Sequence, residues 1–210
     1  MDVFLYQFDT SSGYIKYYLF GNSDMFSFNI NYLCQEVKES NKMKRSTMTL
    51  VMAALMAALT CISTMVIMIP SPLKGYLNLG DCLVLTSGWM LPPVYGFLAA
   101  GLGSALADIF SGYVLYAPVT FLIKGLMAVI ACYGARLLHK KTGTLAACVI
   151  SGAAAEILMV LGYFIFESIL YGVAPSMINI PANAIQGIAG LTIGVAIMKA
   201  LEHSNILSKQ

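Results

Sequence analysis

Two ionisable side chains lie inside long apolar runs of this 210-residue chain. Lys124 stands within "YAPVTFLIKGL" and Glu156 within "SGAAAEILMVLGYF". An ionisable group in hydrocarbon costs about 2.5–3.5 kcal/mol on insertion scales, so each needs a partner, a cavity or a functional reason. The two could form a structural ion pair between neighbouring helices. They could also line a polar pocket and contact a ligand there.

The expected depth of the two groups supports their proximity. Lys124 is about eleven residues from Tyr113, where its predicted helix starts, and Glu156 is about eleven residues from Phe166, where its helix ends. At ~1.5 Å of rise per residue, both would lie roughly 16 Å below the same membrane surface. We therefore expect them at one level of the bundle.

Other polar side chains are expected to converge on the same pocket. Tyr116 and Thr120 share the helical face of Lys124, and Tyr163 shares that of Glu156. Asn183 and Gln186 would enter the last helix from the same side. The first outward loop adds Tyr76, Asn78 and Asp81 and could close over the pocket, although Asn78 or Asp81 could instead cap the second helix. The predicted substrate-binding set is Asn78, Asp81, Tyr116, Thr120, Lys124, Glu156, Tyr163, Asn183 and Gln186. Asp108 is expected to make a helix-end or loop contact.

The composition places these residues in a membrane protein. Hydrophobic residues make up 59% of the chain and charged residues 10%, which is typical of an integral membrane protein. The long apolar runs favour an all-α bundle, because backbone groups in lipid must pair internally. We predict six transmembrane helices, with Pro92-Pro93 separating a short second helix from a short third. The predicted spans are 48–69, 82–91, 94–109, 113–138, 145–166 and 178–201.

The distribution of Lys and Arg predicts the orientation. Basic residues precede the first span, lie between the fourth and fifth spans, and follow the sixth, the last group including Lys209. The opposite side carries Lys74 alone. The positive-inside rule then predicts that both termini are cytoplasmic and that the loops near residues 70–80, 108–113 and 167–177 face outward. We expect a multi-pass protein of a bacterial plasma membrane.

Residues 1–42 differ in composition from the membrane domain at 43–210. They are aromatic and polar, and they lack the pattern of a signal peptide. They could be a short cytosolic appendage. We favour a translation start at Met43, because Lys38-Glu39 can be encoded by a purine-rich ribosome-binding sequence.

Several function classes lack their expected residues. The sequence has no phosphate-loop motif, so any ATP-driven role requires a partner. Both histidines fall in predicted cytoplasmic segments, so no serine-protease arrangement and no metal site is expected inside the membrane. The five cysteines are interpreted as small buried hydrophobes. We expect no enzymatic activity, no catalytic residue, no cofactor, no metal and no nucleic-acid partner.

Small residues recur at four-residue spacing and allow close helix approach. In the third helix, Ala99, Gly103 and Ala107 are interpreted as packing inside the bundle. The first helix carries two overlapping pairs, which are Ala53 with Ala57 and Ala54 with Ala58.

Four stretches resemble one family of membrane proteins. The six-helix chain from Met43, with "GYLNLGD", "GFLAAGLGSALADIFSGY" and "YAPVTFLIKGL", is similar to the substrate-binding S components of energy-coupling factor (ECF) vitamin transporters. The branch it resembles most contains riboflavin-type and hydroxymethylpyrimidine- or pyridoxine-type proteins. The resemblance leaves out residues 1–42.

The resemblance implies a function and partners. S components bind a vitamin from outside, in a pocket of the fourth to sixth helices covered by the loop after the first helix. They work with a transmembrane coupling subunit and two ATPases, and an A-x-x-x-A motif contacts the coupling subunit. That motif maps onto Ala53 and Ala57, with Ala54 and Ala58 as the adjacent frame.

Two functions stay open at this point. The polar set suits a hydroxymethylpyrimidine or pyridoxine type of vitamin, with riboflavin second. The alternative is a stand-alone secondary transporter of a small polar metabolite, in which Lys124 and Glu156 would carry coupling charge.

Overall fold

A computed structural model describes residues 5–9, 14–18, 27–70 and 76–204, with side chains described from residue 46 onward. The chain divides into two compact units, Met1–Met48 and Thr49–Gln210. In the first unit, strands β1 (Leu5–Asp9), β2 (Tyr14–Tyr18) and β3 (Ser27–Asn29) form an antiparallel sheet. The division falls near the predicted boundary after residue 42. A translation start at Met43 stays a prediction.

The second unit is built from helices. Helix α1 (Ile30–Val66) begins in the first unit and continues into the second. A two-stranded hairpin of β4 (Met68–Pro70) and β5 (Tyr76–Asn78) follows it. The remaining elements are α2 (Asp81–Met90), α3 (Pro93–Phe110), α4 (Ala117–Thr142), α5 (Thr144–Tyr171), the short α6 (Val173–Met177) and α7 (Ile180–His203).

Within the described residues, five helical stretches are long and apolar enough to cross a membrane. They are Ser46–Val66, Pro93–Phe110, Ala117–Thr142, Thr144–Tyr171 and Val173–His203. Helix α2 is also present as predicted, but its ten residues extend only about 15 Å, roughly half of a hydrocarbon core. The chain is an all-α, multi-pass membrane protein, which confirms the predicted fold class.

Prolines and glycines set the helix ends. Helices α2 and α3 are separate, as predicted, because Leu91 is extended (ψ 158°) before Pro92, and Pro93 starts α3. Several helix ends differ from the predicted spans, and two of the differences affect the site. Helix α4 starts at Ala117, after a turn, and α5 continues through the polar residues Glu167 and Ser168 until Gly172, whose φ of 90° ends it.

Helix α2 packs closely against three neighbouring helices. Val84 and Leu85 are fully buried and pack with Met127 of α4 and Met159 of α5. Because lipid is as apolar as leucine, packing rather than hydrophobic burial holds such helices together. Gly190 of α7 allows a close approach to α2, since a Cβ there would lie 2.6 Å from the Asp81 Cβ. The start of α2 is therefore held deep in the bundle.

The loops predicted to face outward meet at one end of this unit. The rings of Tyr76 in β5 and Tyr113, before α4, have centroids 4.7 Å apart. The backbone N–H of Asn78 donates to Gln186 Oε1 in α7 at 3.0 Å. Lys74 and Lys209, which contributed to the orientation argument, lie outside the described residues. The orientation itself stays a prediction.

Candidate functional site

A polar cavity lies at the end predicted to face outward. It has a volume of about 40 Å³, which holds only a few water molecules, so a ring-sized ligand requires its walls to move apart. Its lining residues are Thr64, Tyr76, Asn78, Ser104, Asp108, Tyr113, Tyr116, Thr120, Lys124, Tyr163, Glu167, Asn179, Asn183 and Gln186. Helices α1, α3, α4, α5 and α7 and strand β5 all contribute.

The structure brings seven of the nine predicted site residues to this cavity. They are Asn78, Tyr116, Thr120, Lys124, Tyr163, Asn183 and Gln186. Asp81 lies directly behind the lining, and Glu156 lies elsewhere. That these residues bind substrate stays a proposal, which is argued below.

The partner of Lys124 is Asp81, and not the Glu156 expected from depth. The Lys124 ammonium forms an ion pair with Asp81 Oδ1, and the side chains of both residues are buried. Gln186 Nε2 donates to the other oxygen, Asp81 Oδ2, at 2.7 Å. Asp81 is the first residue of α2, but no side-chain bond caps that helix. Its carboxylate instead links α2 to α4 and α7.

This network reaches the hairpin and α5. Asn78 is bonded to Gln186 through its backbone, and its side-chain Oδ1 accepts a bond from Gly80 N at 2.9 Å. The Lys124 ammonium lies 5.6 Å from the centre of the Tyr163 ring, a cation–π distance. The Tyr163 hydroxyl donates to Thr120 Oγ1 at 3.1 Å. One connected polar network thus joins four helices and β5 around the cavity.

Glu156 does not line the cavity. It lies beside Gly187 of α7, where an added Cβ would lie 2.9 Å from Glu156 Oε2. Gly187 is seven residues from the start of α7 and Lys124 is seven residues from the start of α4, so Glu156 lies at a depth close to that of Lys124, about 10 Å from this end of the bundle. Glu156 lines a separate, mostly apolar groove of about 380 Å³ between α5 and α7. Neither of its carboxylate oxygens has a hydrogen-bond partner among the described residues. Glu156 thus differs from Lys124 in the direction that it faces, towards the groove instead of the cavity.

Sequence reasoning left several lining residues out of the predicted site. They are Thr64, Tyr76, Ser104, Asp108, Tyr113, Glu167 and Asn179. Helical spacing could have found two of them: Glu167 follows Tyr163 by four residues, and Asn179 precedes Asn183 by four. A helix end predicted at Phe166 leaves Glu167 outside the helix and therefore outside the predicted site.

Tyr76 fastens β5 to α3. Its hydroxyl donates to Asp108 Oδ1 at 2.5 Å, so Asp108 makes the loop contact expected of it and lines the cavity as well. Burial, together with the Asp108 carboxyl group, raises the pKa of Tyr76 well above its ordinary value of 10.0. The hydroxyl therefore keeps its proton at neutral pH and donates it in this bond.

Aromatic rings form one wall of the site. Tyr76 contacts Tyr113, Tyr113 lies edge-on to Tyr116 at 6.4 Å between centroids, and Tyr116 lies edge-on to Phe166 at 5.2 Å. Aromatic rings attract other rings in stacked or edge-to-face geometry. The cavity therefore combines an aromatic wall with many polar atoms.

The alanines predicted at a partner interface fall on two different faces of α1. Ala53 is buried with Met56, Leu91 and Ala99, and a Cβ on Gly103 would lie 2.5 Å from the Ala57 carbonyl oxygen. Ala54 and Ala58 are exposed. The first pair packs inside the bundle, and the second pair is accessible from outside.

Comparisons with known proteins show which family this chain resembles. A 34% identical relative from Pyrococcus woesei, described as an uncharacterized protein in the gap 3' region, matches over 134 residues, which are 63% of this chain and 87% of that protein. A solved S component of a bacterial ECF transporter shares the fold, with a TM-score of 0.59 and 22% identity over 77% of this chain and 98% of that one.

The family comparison covers most of the chain. The family described as "ECF-type riboflavin transporter, S component" matches residues 44–203. The match includes every residue that lines the cavity. The chain therefore belongs to the family of ECF-type riboflavin transporter S components.

Proposed function

We propose that this protein captures a water-soluble vitamin with a polar heteroaromatic ring and delivers it to an ATP-driven importer. The observation that carries the proposal is the cavity itself, where an aromatic wall faces convergent carboxyl, amide and hydroxyl groups. Such a combination suits a planar ring with hydrogen-bonding substituents.

Within that class we favour a hydroxymethylpyrimidine or pyridoxine type of ligand, with riboflavin second. The cavity is small, so a single substituted ring needs less displacement of the walls than a three-ring ligand. The Lys124 charge is already balanced by Asp81, and Asp108 and Glu167 add further carboxyl groups. This charge balance favours an unphosphorylated vitamin.

The proposed partners are a transmembrane coupling subunit and two ATPases, as the family implies. The exposed Ala54 and Ala58 offer a smooth strip at which a helix of the coupling subunit can approach closely. Ala53 and Ala57 support that strip from inside the bundle.

We expect a vitamin to enter past β5. The hydrogen bond between Tyr76 in β5 and Asp108 in α3 should therefore control its release. We expect Tyr76→Phe to accelerate vitamin release about tenfold, because a hydrogen bond to a charged group is worth about 1.5–3 kcal/mol. Stopped-flow or surface-binding kinetics on the purified protein would measure the rate. Tyr133→Phe, at a tyrosine that is 53% exposed, is the matched control. An unchanged release rate in Tyr76→Phe would contradict a role for this bond in holding the site closed.

A stand-alone secondary transporter is the competing function, with Glu156 as the observation that favours it. Its carboxyl group, which has no partner among the described residues, could carry a coupling proton in the membrane. The two functions differ in their energy source. Uptake by this chain alone, driven by an ion gradient and independent of ATP, would support the competitor.

The experiment that tests the proposed function is purification from the native host. We expect the chain to bring down a transmembrane subunit and two ATPases, and an extract of the pure protein to contain a vitamin identifiable by mass spectrometry. Purification of the chain without these subunits, together with no vitamin in the extract, would contradict the proposal.

A further inference from the structure

We propose that Glu167 and Asn179 form a two-acceptor fork that selects a ligand carrying paired N–H donors, as an amino group on the ring provides. The inference rests on the proposed function and names the ligand feature that this site reads. Neither residue belonged to the set predicted from the sequence.

The turn between α5 and α7 builds the fork. Gly172 ends α5 at a φ of 90°, and the five residues of α6 return the chain to the start of α7. Asn179 Nδ2 thereby donates to Glu167 Oε1 at 2.9 Å across twelve residues of sequence. Glu167 is 3% exposed and Asn179 is 2% exposed, and both line the cavity. The pair is therefore fixed and faces the proposed ligand.

The two remaining atoms of the pair are both acceptors. Asn179 gives its NH₂ group to Glu167, so its Oδ1 points away from the carboxyl group, and an ionised carboxylate has only acceptor atoms. Glu167 Oε2 and Asn179 Oδ1 have no hydrogen-bond partner among the described residues. Buried polar atoms in proteins are nearly always paired. A ligand with two donors would satisfy both atoms.

Several donors of the cavity are already committed. Gln186 donates to Asp81, Tyr76 donates to Asp108, and Tyr163 donates to Thr120. Lys124 gives one N–H to Asp81 and retains others that can reach an acceptor on the ligand. The site thus offers acceptors at the fork and an ammonium at Lys124, which matches a ring that has an amino group and a ring nitrogen. The hydroxyl groups of Thr64, Ser104 and Tyr116, which have no hydrogen-bond partner among the described residues, can bind the other substituents of such a ring.

This arrangement disfavours two related ligand types. A carbonyl in place of the amino group would put an acceptor against two acceptors. A phosphate ester would put an anion close to Glu167 and Asp108. Sites that hydrogen-bond a substrate group discriminate strongly against an analogue that lacks it.

The test compares two pyrimidines on the purified full chain by titration calorimetry. The probes are hydroxymethylpyrimidine, which carries a ring amine, and its oxo counterpart. We expect the wild type to bind the amine at least about tenfold more tightly. In Glu167→Gln, one atom of the fork becomes a donor whichever way the two amides turn, so the preference should disappear or invert. Glu202→Gln, at the far end of α7, is the control and should keep the preference for the amine.

A second variant, Asn179→Ala, still tests the fork if Glu167→Gln fails to fold. Asn179→Ala leaves the Glu167 carboxylate in place, so the affinity for the amine should fall while the order of the two pyrimidines is kept. An unchanged preference in Glu167→Gln, or a wild type that favours the oxo form, would overturn the fork. Binding of riboflavin or pyridoxine with neither pyrimidine would overturn the fork and leave the proposed function standing. Binding of no vitamin at all would overturn the proposed function.

Discussion

Replacing Lys124 alone is expected to destabilise the protein more than replacing Lys124 and Asp81 together. Lys124→Met leaves the buried Asp81 carboxylate without its cation, and breaking a buried ion pair in this way costs about 3–5 kcal/mol. In the double variant Lys124→Met with Asp81→Asn, no charge is stranded, and the introduced amide oxygen can still accept from Gln186. Thermal unfolding in detergent would measure the difference, and equal losses in the two variants would contradict the pairing.

The same variants separate the two roles of Lys124. We expect the double variant to recover most of the stability but to bind the vitamin about tenfold or more weakly, because the ammonium lines the cavity and retains free donors. Recovery of full affinity together with stability would show that Lys124 only positions Asp81. Calorimetric titration on detergent-purified protein would decide whether Lys124 contacts the vitamin or only positions Asp81.

Substitutions on the two faces of α1 are expected to have opposite effects. Ala54→Trp with Ala58→Trp should abolish uptake and leave vitamin binding unchanged, because these residues are exposed and two indole rings would hold a partner helix away. Ala53→Trp with Ala57→Trp should damage the bundle, because Ala53 packs against Leu91 and Ala99.

Two measurements on each variant distinguish these outcomes. Uptake in cells that carry the coupling subunits reports the partner contact, and vitamin binding by the purified chain reports the fold. Normal uptake by the Ala54 and Ala58 variant would contradict a partner on this face. A different result is possible, in which the Ala53→Trp, Ala57→Trp variant keeps vitamin binding and loses uptake while the Ala54→Trp, Ala58→Trp variant keeps both. The partner would then contact Ala53 and Ala57.

Local sequence signals were sufficient for the architecture. Apolar run lengths located the membrane helices, and Pro92-Pro93 separated α2 from α3 because proline restricts the residue before it and suits a helix start. Helical spacing placed Tyr116 and Thr120 on the face of Lys124, and entry from the same side placed Gln186 near them; all four line one cavity. These features depend on neighbours within one or two turns, which the sequence displays directly.

The features that could not be predicted from the sequence depend on contacts between residues far apart in the chain. Nothing local predicts that Asp81 meets Lys124, 43 residues later, because the close approach of α2 and α7 at Gly190 sets the position of Asp81. The polar Glu167 is typical of a loop, whereas Asn179 and the cavity accommodate it inside the bundle.

The most direct test of this account is a calorimetric titration of the purified chain, without any other subunit, with hydroxymethylpyrimidine, pyridoxine and riboflavin. We predict saturable one-to-one binding of one of these vitamins with a dissociation constant below about 1 µM, and loss of that binding in Lys124→Met. Absence of binding to all three, in protein that is folded and monodisperse, would contradict the assignment of this cavity as a vitamin site.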